Sequence, residues 1–331
     1  MRKKISIVFV GLVLFLAPSI GFTQHIKHNN VYTYEQLEKD LNTLKREYPE
    51  AISIQKIGLS ELGRNIWAVK LGKGKRGILL IGAHHGREWL TTMLLMTMME
   101  KYATGYQQNE TFGPYSTRIF DDIAIWFVPM LNPDGVEIQQ KGLGGVPYKM
   151  QDNIFEMNGY SPDFTKWKAN GVGVDLNRQY PAGWRELRGV PFPWYQFYKG
   201  TAPIQASEIK AITSLTMKVS PMIAVSYHSS GREIFWNFQN GSQVQRDQYF
   251  AEKVSLLTGY KLGMPEENAI GAGFTDWFIT TFHKPGMTIE ICKLVEETSP
   301  PLSSFQEEWT RNKLVGIMLA VEAKKTMPSN F

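Results

Sequence analysis

The chain has 331 residues and a formal net charge of +5 at pH 7, but three of the positive charges lie at positions 2–4. The remainder is close to neutral, and no basic run is interleaved with aromatic residues, so the sequence shows no nucleic-acid-binding surface. Cys292 is the single cysteine, which excludes an internal disulfide. Its place after an apolar run predicts a buried, inert thiol, and stability then depends on a large apolar core.

The N-terminus has the features of a secretory signal. The basic residues at 2–4 precede an apolar run at 5–17, and Ser19 and Gly21 are spaced as at a signal-peptidase site. The run is shorter than the roughly 20 residues that span a bilayer. We therefore predict a signal peptide at 1–21 and a secreted domain at 22–331, with no stable membrane span after processing. The alternative is an uncleaved N-terminal anchor.

The secreted part begins with a helix followed by strands. Apolar residues recur at the spacing of one helix face at Leu37, Leu41, Leu44 and Tyr48. Thr33, with Gln36 three residues later, matches a capping box at the start of this helix. Two strands are then predicted at 52–57 and 65–71.

Further elements alternate along the rest of the chain. A continuous apolar run at 77–83 is typical of a strand buried on both faces. Other strands are predicted at 123–128, 222–227 and 287–292, and helices at 89–102, 206–218, 245–257 and 305–323. This alternation predicts a layered α/β domain with a largely parallel or mixed sheet, whose ligands bind at the carboxyl ends of strands.

Polar residues stand out at the ends of three of these strands. His85 and Glu88 follow the 77–83 strand, and their spacing allows both side chains to reach one metal ion from a tight turn. His228 ends the 222–227 strand, and Glu290 interrupts an apolar strand, where a carboxylate is costly to bury without a partner or a function. A solvated loop and a satisfied core histidine are the alternatives to a site.

Two histidines and one glutamate form a common catalytic zinc set that leaves a position for water. The same set also accepts iron or cobalt. Three such polar interruptions in one sheet therefore predict a single metal site.

The full series of motifs resembles the zinc metallocarboxypeptidases of the carboxypeptidase A type over about residues 32–325. In chain order the motifs are His-x-x-Glu at 85–88, Asn-Pro-Asp-Gly at 132–135, Gly-Val-Asp-Leu-Asn-Arg at 173–178, His-Ser at 228–229 and Thr-Ile-Glu at 288–290. The resemblance implies a three-layer α/β/α fold with a mixed, roughly eight-stranded sheet. It also implies that the 132–135 turn is structural.

The resemblance further implies a role for each matching residue. His85, Glu88 and His228 would bind one zinc ion, and Glu290 would act as general base on the zinc-bound water. Asp175 would orient His85.

The same resemblance implies three residues that bind the substrate. Asn177 and Arg178 would bind a substrate carboxylate, for which the guanidinium fork is suited. Arg87 would line a substrate subsite.

The chain departs from the family pattern at two places. No arginine precedes the Gly-Val-Asp segment to polarise the scissile carbonyl, so Lys168 or the metal alone would serve. The usual tyrosine is absent from 267–277, which argues against ordinary carboxypeptidase action.

The sequence at 167–184 is similar to the bacterial cell-wall branch of the family, which cuts the γ-D-glutamyl–meso-diaminopimelate bond of peptidoglycan stem peptides. Arg232 would then meet an extra carboxylate of diaminopimelate, or be a solvated loop residue. The alternatives are a general metallocarboxypeptidase acting on C-terminal residues of peptides, a deacylase with the same zinc set, and an inactive wall-binding protein.

Overall fold

The computed structural model describes residues 25–326, and the predicted signal peptide lies outside them. The helices are α1 Tyr34–Glu47, α2 Leu90–Gln108, α3 Pro133–Lys141, α4 Gln151–Met157, α5 Ser207–Val219, α6 Val244–Thr258, α7 Phe274–Phe282, α8 Phe305–Asn312 and α9 Val315–Thr326. The strands are β1 Ile52–Leu59, β2 Asn65–Leu71, β3 Arg76–Ile81, β4 Thr111–Phe112, β5 Tyr115–Ser116, β6 Ile123–Val128, β7 Ala224–Ser229, β8 Glu233–Phe235, β9 Lys261–Leu262 and β10 Gly286–Ile291. None of the helices in this part of the chain is long and apolar enough to span a bilayer.

Eight strands form one mixed sheet in the order β1-β2-β6-β3-β7-β10-β8-β9, and β4 and β5 form a separate pair. The central strands β6, β3, β7 and β10 run parallel, whereas β2 and β8 flank them in the antiparallel direction. Apolar side chains on one face of the sheet pack against α1, α2, α6, α8 and α9, and those on the other face pack against α5 and α7. The predicted three-layer fold with a mixed eight-stranded sheet is therefore confirmed.

The first helix begins where the sequence predicts. The Thr33 hydroxyl accepts a hydrogen bond from the Gln36 amide at 3.1 Å, so Thr33 is the N-cap of α1. The Gln36 side chain does not return to Thr33, as a full capping box requires, but donates to Asp40 at 2.7 Å.

The predicted single helix at 305–323 is wrong, because the chain forms α8 and α9 with a break at Lys313. The Tyr102 hydroxyl donates to the Lys313 carbonyl at 2.7 Å and accepts from the Ile317 amide at 3.3 Å. It therefore stands where the helical bond between these two groups would form, a known cause of helix breaks. Gly316 allows this approach, since a Cβ there would lie 3.0 Å from the Tyr102 ring.

The Asn-Pro-Asp-Gly motif is the start of α3 rather than only a turn. The Asn132 side chain caps the helix by accepting from the Gly135 amide at 2.8 Å, and Pro133 occupies the first turn. The Asp134 carboxylate accepts from the Ser60 hydroxyl at 2.8 Å and from Arg64 at 2.8 Å. These contacts are structural, as predicted. Cys292 is buried and unbonded to another cysteine, also as predicted.

Candidate metal centre

The turn that places the first two candidate ligands depends on close backbone packing. His85 follows β3, and Glu88 ends a short 3-10 helix, Gly86–Glu88. A Cβ at Gly86 would lie 2.3 Å from the Gly135 carbonyl oxygen, so only glycine fits there. The Gly86 amide also donates to the Lys168 carbonyl at 3.0 Å. The turn is thus held against α3 and against the loop that carries Lys168.

The structure brings His85, Glu88 and His228 together at the carboxyl ends of β3 and β7. The His85 Nδ1 atom lies 2.7 Å from Glu88 Oε1, and the His228 Nδ1 atom lies 2.9 Å from Glu88 Oε2. The two Nδ1 atoms are 3.2 Å apart. One ligand atom from each residue lies within 4.8 Å of the others, and all three residues are buried. This arrangement fits a single metal ion.

The outer nitrogens of both rings support the same conclusion. His85 Nε2 lies 3.2 Å from Asp175 Oδ1, and His228 Nε2 lies 2.9 Å from Ser226 Oγ. When each Nε2 carries the proton, each Nδ1 presents a lone pair towards Glu88. Two imidazole nitrogens and one carboxylate converging in this way suit zinc.

A second layer of side chains lies behind His228 and was not predicted. The Ser226 hydroxyl also contacts His84 Nδ1 at 3.1 Å, and His84 Nε2 contacts the Tyr180 hydroxyl at 3.0 Å. All three residues are buried. Ser226 lies two positions before His228, so strand alternation predicts that both face the same side of the sheet. The placement of Ser226 beside His228 could therefore have been predicted from the sequence, whereas its contact with His84 could not.

The electrostatics of the cluster suit cation binding. Burial alone would raise the pKa of Glu88, but His85 and His228 offset it and hold that pKa well below its ordinary value. Burial lowers the pKa of His228, which favours the neutral imidazole that metals require. For Asp175, Lys168 and then His85 overcome the effect of burial and hold its pKa well below normal.

Glu290 lies beside this cluster through strand pairing. In the parallel pair of β7 and β10, Glu290 is directly opposite His228, and in the antiparallel pair with β8 it is opposite Glu233. Paired residues direct their side chains to the same face of a sheet. Burial raises the pKa of Glu290 well above its ordinary value, and the Glu88 carboxylate adds to the increase. Glu290 and all three candidate ligands line one cleft of about 400 Å³.

Three of the predicted substrate-binding residues lie at this cleft or next to it. Arg87 and Asn177 line the cleft itself. Arg178 is buried and lines a smaller recess, of about 50 Å³, which shares Lys168 and Asn177 with the cleft. Its Nε atom lies 3.5 Å from Asp175.

Lys168, one of the two groups expected to serve in place of the missing arginine, lies at the cleft. Its side chain is 14% exposed, lines the cleft and approaches Asp175 Oδ2 at 3.2 Å. Among the described residues that line the cleft, Lys168 is the only lysine, and the candidate metal ligands line the same cleft.

Neither expectation for Arg232 is correct. Its guanidinium lies 2.6 Å from Glu308 and 2.7 Å from Glu307, and its side chain is only 17% exposed. Its φ of +55° is in the left-handed region, and Arg232 is not among the described residues that line the cleft. The acidic partners on α8 lie far from Arg232 in sequence, so nothing local to the motif indicated them.

The zinc carboxypeptidase family matches this chain over residues 37–309. Gamma-D-glutamyl-L-diamino acid endopeptidase 1 of Lysinibacillus sphaericus is 32% identical over 296 residues, which cover 87% of this chain and 72% of that protein. The uncharacterized protein YqgT of Bacillus subtilis is 31% identical over 81% of this chain and 72% of its own.

Among solved structures, bovine thrombin-activatable fibrinolysis inhibitor has a TM-score of 0.74 at 16% identity, covering 91% of this chain and 99% of that one. Carboxypeptidase A of Helicoverpa armigera has a TM-score of 0.70 at 16% identity, covering 92% of this chain and 76% of that one. At this identity the structures show a shared fold.

Proposed function

This chain belongs to the zinc carboxypeptidase family, and from that premise we propose that it is a secreted peptidase that hydrolyses the γ-D-glutamyl–meso-diaminopimelate bond of peptidoglycan stem peptides. The observation that carries the substrate is the 32% identity to the Lysinibacillus sphaericus endopeptidase over 87% of this chain. The family match over residues 37–309 includes every motif that contributes to the cleft. Secretion rests on the sequence pattern at 1–21.

The proposed chemistry divides between the metal and the protein. His85, Glu88 and His228 would hold the zinc ion, which would supply Lewis-acid chemistry when bound. Glu290 accepts the proton of the attacking water and transfers it to the leaving amine, a role that its place beside His228 permits. Asp175 keeps the proton of His85 on Nε2.

The charges of the cleft support a substrate that carries both carboxylates and amines. Arg87 and Lys168 line the cleft, and Arg178 lines the adjoining recess. Besides Glu88 and Glu290, the cleft is lined by three further acidic residues, Asp276, Glu296 and Glu297. Diaminopimelate has two carboxylates and two amines, and the γ-linked glutamyl residue keeps a free carboxylate. A cleft with both signs of charge suits this substrate better than it suits a substrate whose side chain is purely apolar. We assign polarisation of the carbonyl to Lys168, in addition to the Lewis-acid chemistry that the metal would supply.

The test is mass spectrometry of L-Ala-γ-D-Glu-meso-diaminopimelate incubated with the purified chain lacking residues 1–21, with and without a zinc chelator. Release of free diaminopimelate that the chelator abolishes is the expected result. A parallel sample contains ordinary L-peptides. Trimming of those peptides without release of diaminopimelate would replace the proposal with a general carboxypeptidase activity.

Secretion has a separate test. The full-length chain is expressed in a bacterial host, and the medium, wall and cytoplasm are fractionated. N-terminal sequencing of the recovered protein should find cleavage after Gly21. Intact protein retained in the membrane fraction would support the anchored alternative.

A further inference from the structure

Two pairs of aromatic side chains lie outside the cleft, and we call them together the aromatic platform: Phe155, Tyr160, Phe192 and Trp194. In each pair one ring is exposed, Tyr160 or Phe192, and its neighbour is partly buried. Phe155 and Tyr160 pack edge to face with centroids 5.7 Å apart, and Phe192 and Trp194 do the same at 5.7 Å. Tyr160 is 65% exposed and Phe192 is 53% exposed. Single exposed apolar residues are ordinary on protein surfaces, but contiguous groups mark binding sites.

The backbone that carries the platform is fixed in place. Tyr160 has a φ of +58°, a left-handed conformation that is strained for an aromatic residue, and yet its ring is mostly exposed. Folding therefore gains little burial in return for this strain. The Gly159 backbone, next to Tyr160, lies against the second ring pair, because a Cβ at Gly159 would lie 3.4 Å from the Trp194 ring. The Trp194 amide donates to the Gly173 carbonyl at 3.1 Å.

The platform is continuous with the rim of the cleft. The Trp194 ring lies 5.5 Å from the Tyr195 ring, and Gln196 Nε2 donates to the Tyr195 hydroxyl at 3.2 Å. Gln196 is buried, and it accepts from Arg87 at 3.2 Å and donates to Glu297 at 2.8 Å. Arg87 and Glu297 both line the cleft. One chain of contacts thus leads from the exposed rings to the cleft.

We propose that the aromatic platform binds the glycan strand of peptidoglycan, so that the enzyme acts on stem peptides still attached to the wall. This inference rests on the proposed function for the identity of the polymer. Pyranose rings present flat faces of C–H groups that stack on aromatic rings, and N-acetylated amino sugars are uncharged. The exposed Tyr160 and Phe192 rings are suited to such stacking.

The dimensions of the substrate agree with this placement. In the wall, only L-alanine and D-glutamate separate the scissile bond from the lactyl group of the sugar. Two extended α-linked residues span about 7 Å, and the γ linkage of D-glutamate adds two further bonds to that span. A glycan attached to a peptide in the cleft therefore lies just outside the cleft rim, where a platform continuous with that rim can contact it.

The first test measures sugar binding without any peptide bond to cut. The pentamer of β-1,4-linked N-acetylglucosamine is titrated into the zinc-loaded protein by isothermal calorimetry. We expect binding that weakens roughly fivefold or more in Phe192→Ala and in Tyr160→Ala, given the usual energies of aromatic stacking. Phe192→Tyr should retain binding because it keeps the ring. Leu256→Ala is the matched control, since Leu256 is 84% exposed on α6.

The second test compares two substrates. Phe192→Ala should release diaminopimelate from the free tripeptide as fast as the wild type, but at least about fivefold more slowly from the disaccharide-linked tripeptide. An equal effect on both substrates, or no binding of the pentamer by the wild type, would show that the aromatic platform does not bind the glycan. Failure of the wild type to cut the free tripeptide instead overturns the proposed function, so the two failures are distinguishable.

Discussion

Two clusters of buried polar side chains in this protein differ in the balance of donors and acceptors. Asp134 is fully buried, and each of its neighbours donates to it: the Ser60 hydroxyl, the Leu62 amide and the Arg64 guanidinium. At the metal centre, the two imidazole Nδ1 atoms and the Glu88 carboxylate instead face one another as potential acceptors. Acceptors buried together are costly unless a cation lies among them.

The comparison teaches how a structural motif and a functional one can be separated. Both clusters derive from short polar motifs that follow a buried strand. The Asp134 cluster is satisfied by the protein alone, whereas the metal centre is complete only with a cation and also borders the cleft. The following changes test this distinction, from the largest expected effect to the smallest.

The largest effect should come from Glu290→Gln, which removes the proposed base without touching a metal ligand. We expect turnover of the tripeptide to fall by about 10²- to 10⁴-fold, the usual contribution of a general base. Zinc content by elemental analysis should stay at one ion per chain. Full turnover in this variant would show that Glu290 is not the general base.

Removing a metal ligand should separate zinc binding from folding. In His228→Ala, zinc measured by elemental analysis after dialysis should fall well below one ion per chain, because only two protein ligands remain. The matched control is His283→Ala, since His283 follows α7 and is absent from the described residues that line the cleft. Stoichiometric zinc in His228→Ala would show that the ligand assignment is wrong.

Asp134→Ala should have the opposite effect, with lower stability but unchanged zinc binding. The loss leaves Arg64, Ser60 and the Leu62 amide without their acceptor, and we expect the free energy of unfolding to fall by about 3 kcal/mol. Urea denaturation measures this change, and the folded variant should still bind one zinc ion. Loss of zinc at unchanged stability would contradict the structural role of this cluster.

The smallest effect on the metal centre and on turnover is expected at Glu208, next to the Asp134 cluster, where the pH dependence of stability should change. Burial, and then the Asp134 charge, raise the pKa of Glu208 from 4.5 to about 8. Because the folded pKa is above the unfolded one, the stability that this group contributes is full below pH 4.5 and is lost as the pH rises towards 8. Each unit of difference between the two pKa values corresponds to about 1.4 kcal/mol.

Glu208→Gln has no proton to lose, so its free energy of unfolding should vary less between pH 5 and pH 8 than that of the wild type. Urea midpoints at several pH values in this interval measure the difference. Parallel curves for the two proteins would show that Glu208 does not titrate in this range.

Much of the fold was predictable because local patterns and tertiary structure agree. The strand at 123–128 and the strand at 65–71 have the predicted bounds, and α5 and α6 lie within one residue of theirs. The helix at 305–323 failed because the Tyr102 hydroxyl, some 200 residues away in sequence, replaces one of its backbone hydrogen bonds. Such a contact leaves no trace in helical periodicity.

The candidate site also has features that the sequence predicts and features that it does not. The three residues at the metal centre were predictable because ligand types at strand ends are conspicuous in apolar surroundings. The contacts of Arg232 with α8 were not, and neither was the link from Ser226 through His84 to Tyr180. These depend on how distant segments meet, which spacing alone does not encode.

The register of β7 and β10 has a mechanical consequence. Glu290 and His228 occupy adjacent hydrogen-bonded strands in the middle of the sheet, so their backbones stay about 4.8 Å apart. A slip of one residue would reverse the Glu290 side chain to the opposite face, which the buried apolar neighbours forbid. The loops around the cleft can therefore change length or move without altering this spacing. Changes in these loops can therefore alter which substrate is preferred, while the arrangement of Glu290 and His228 that the chemistry needs stays the same.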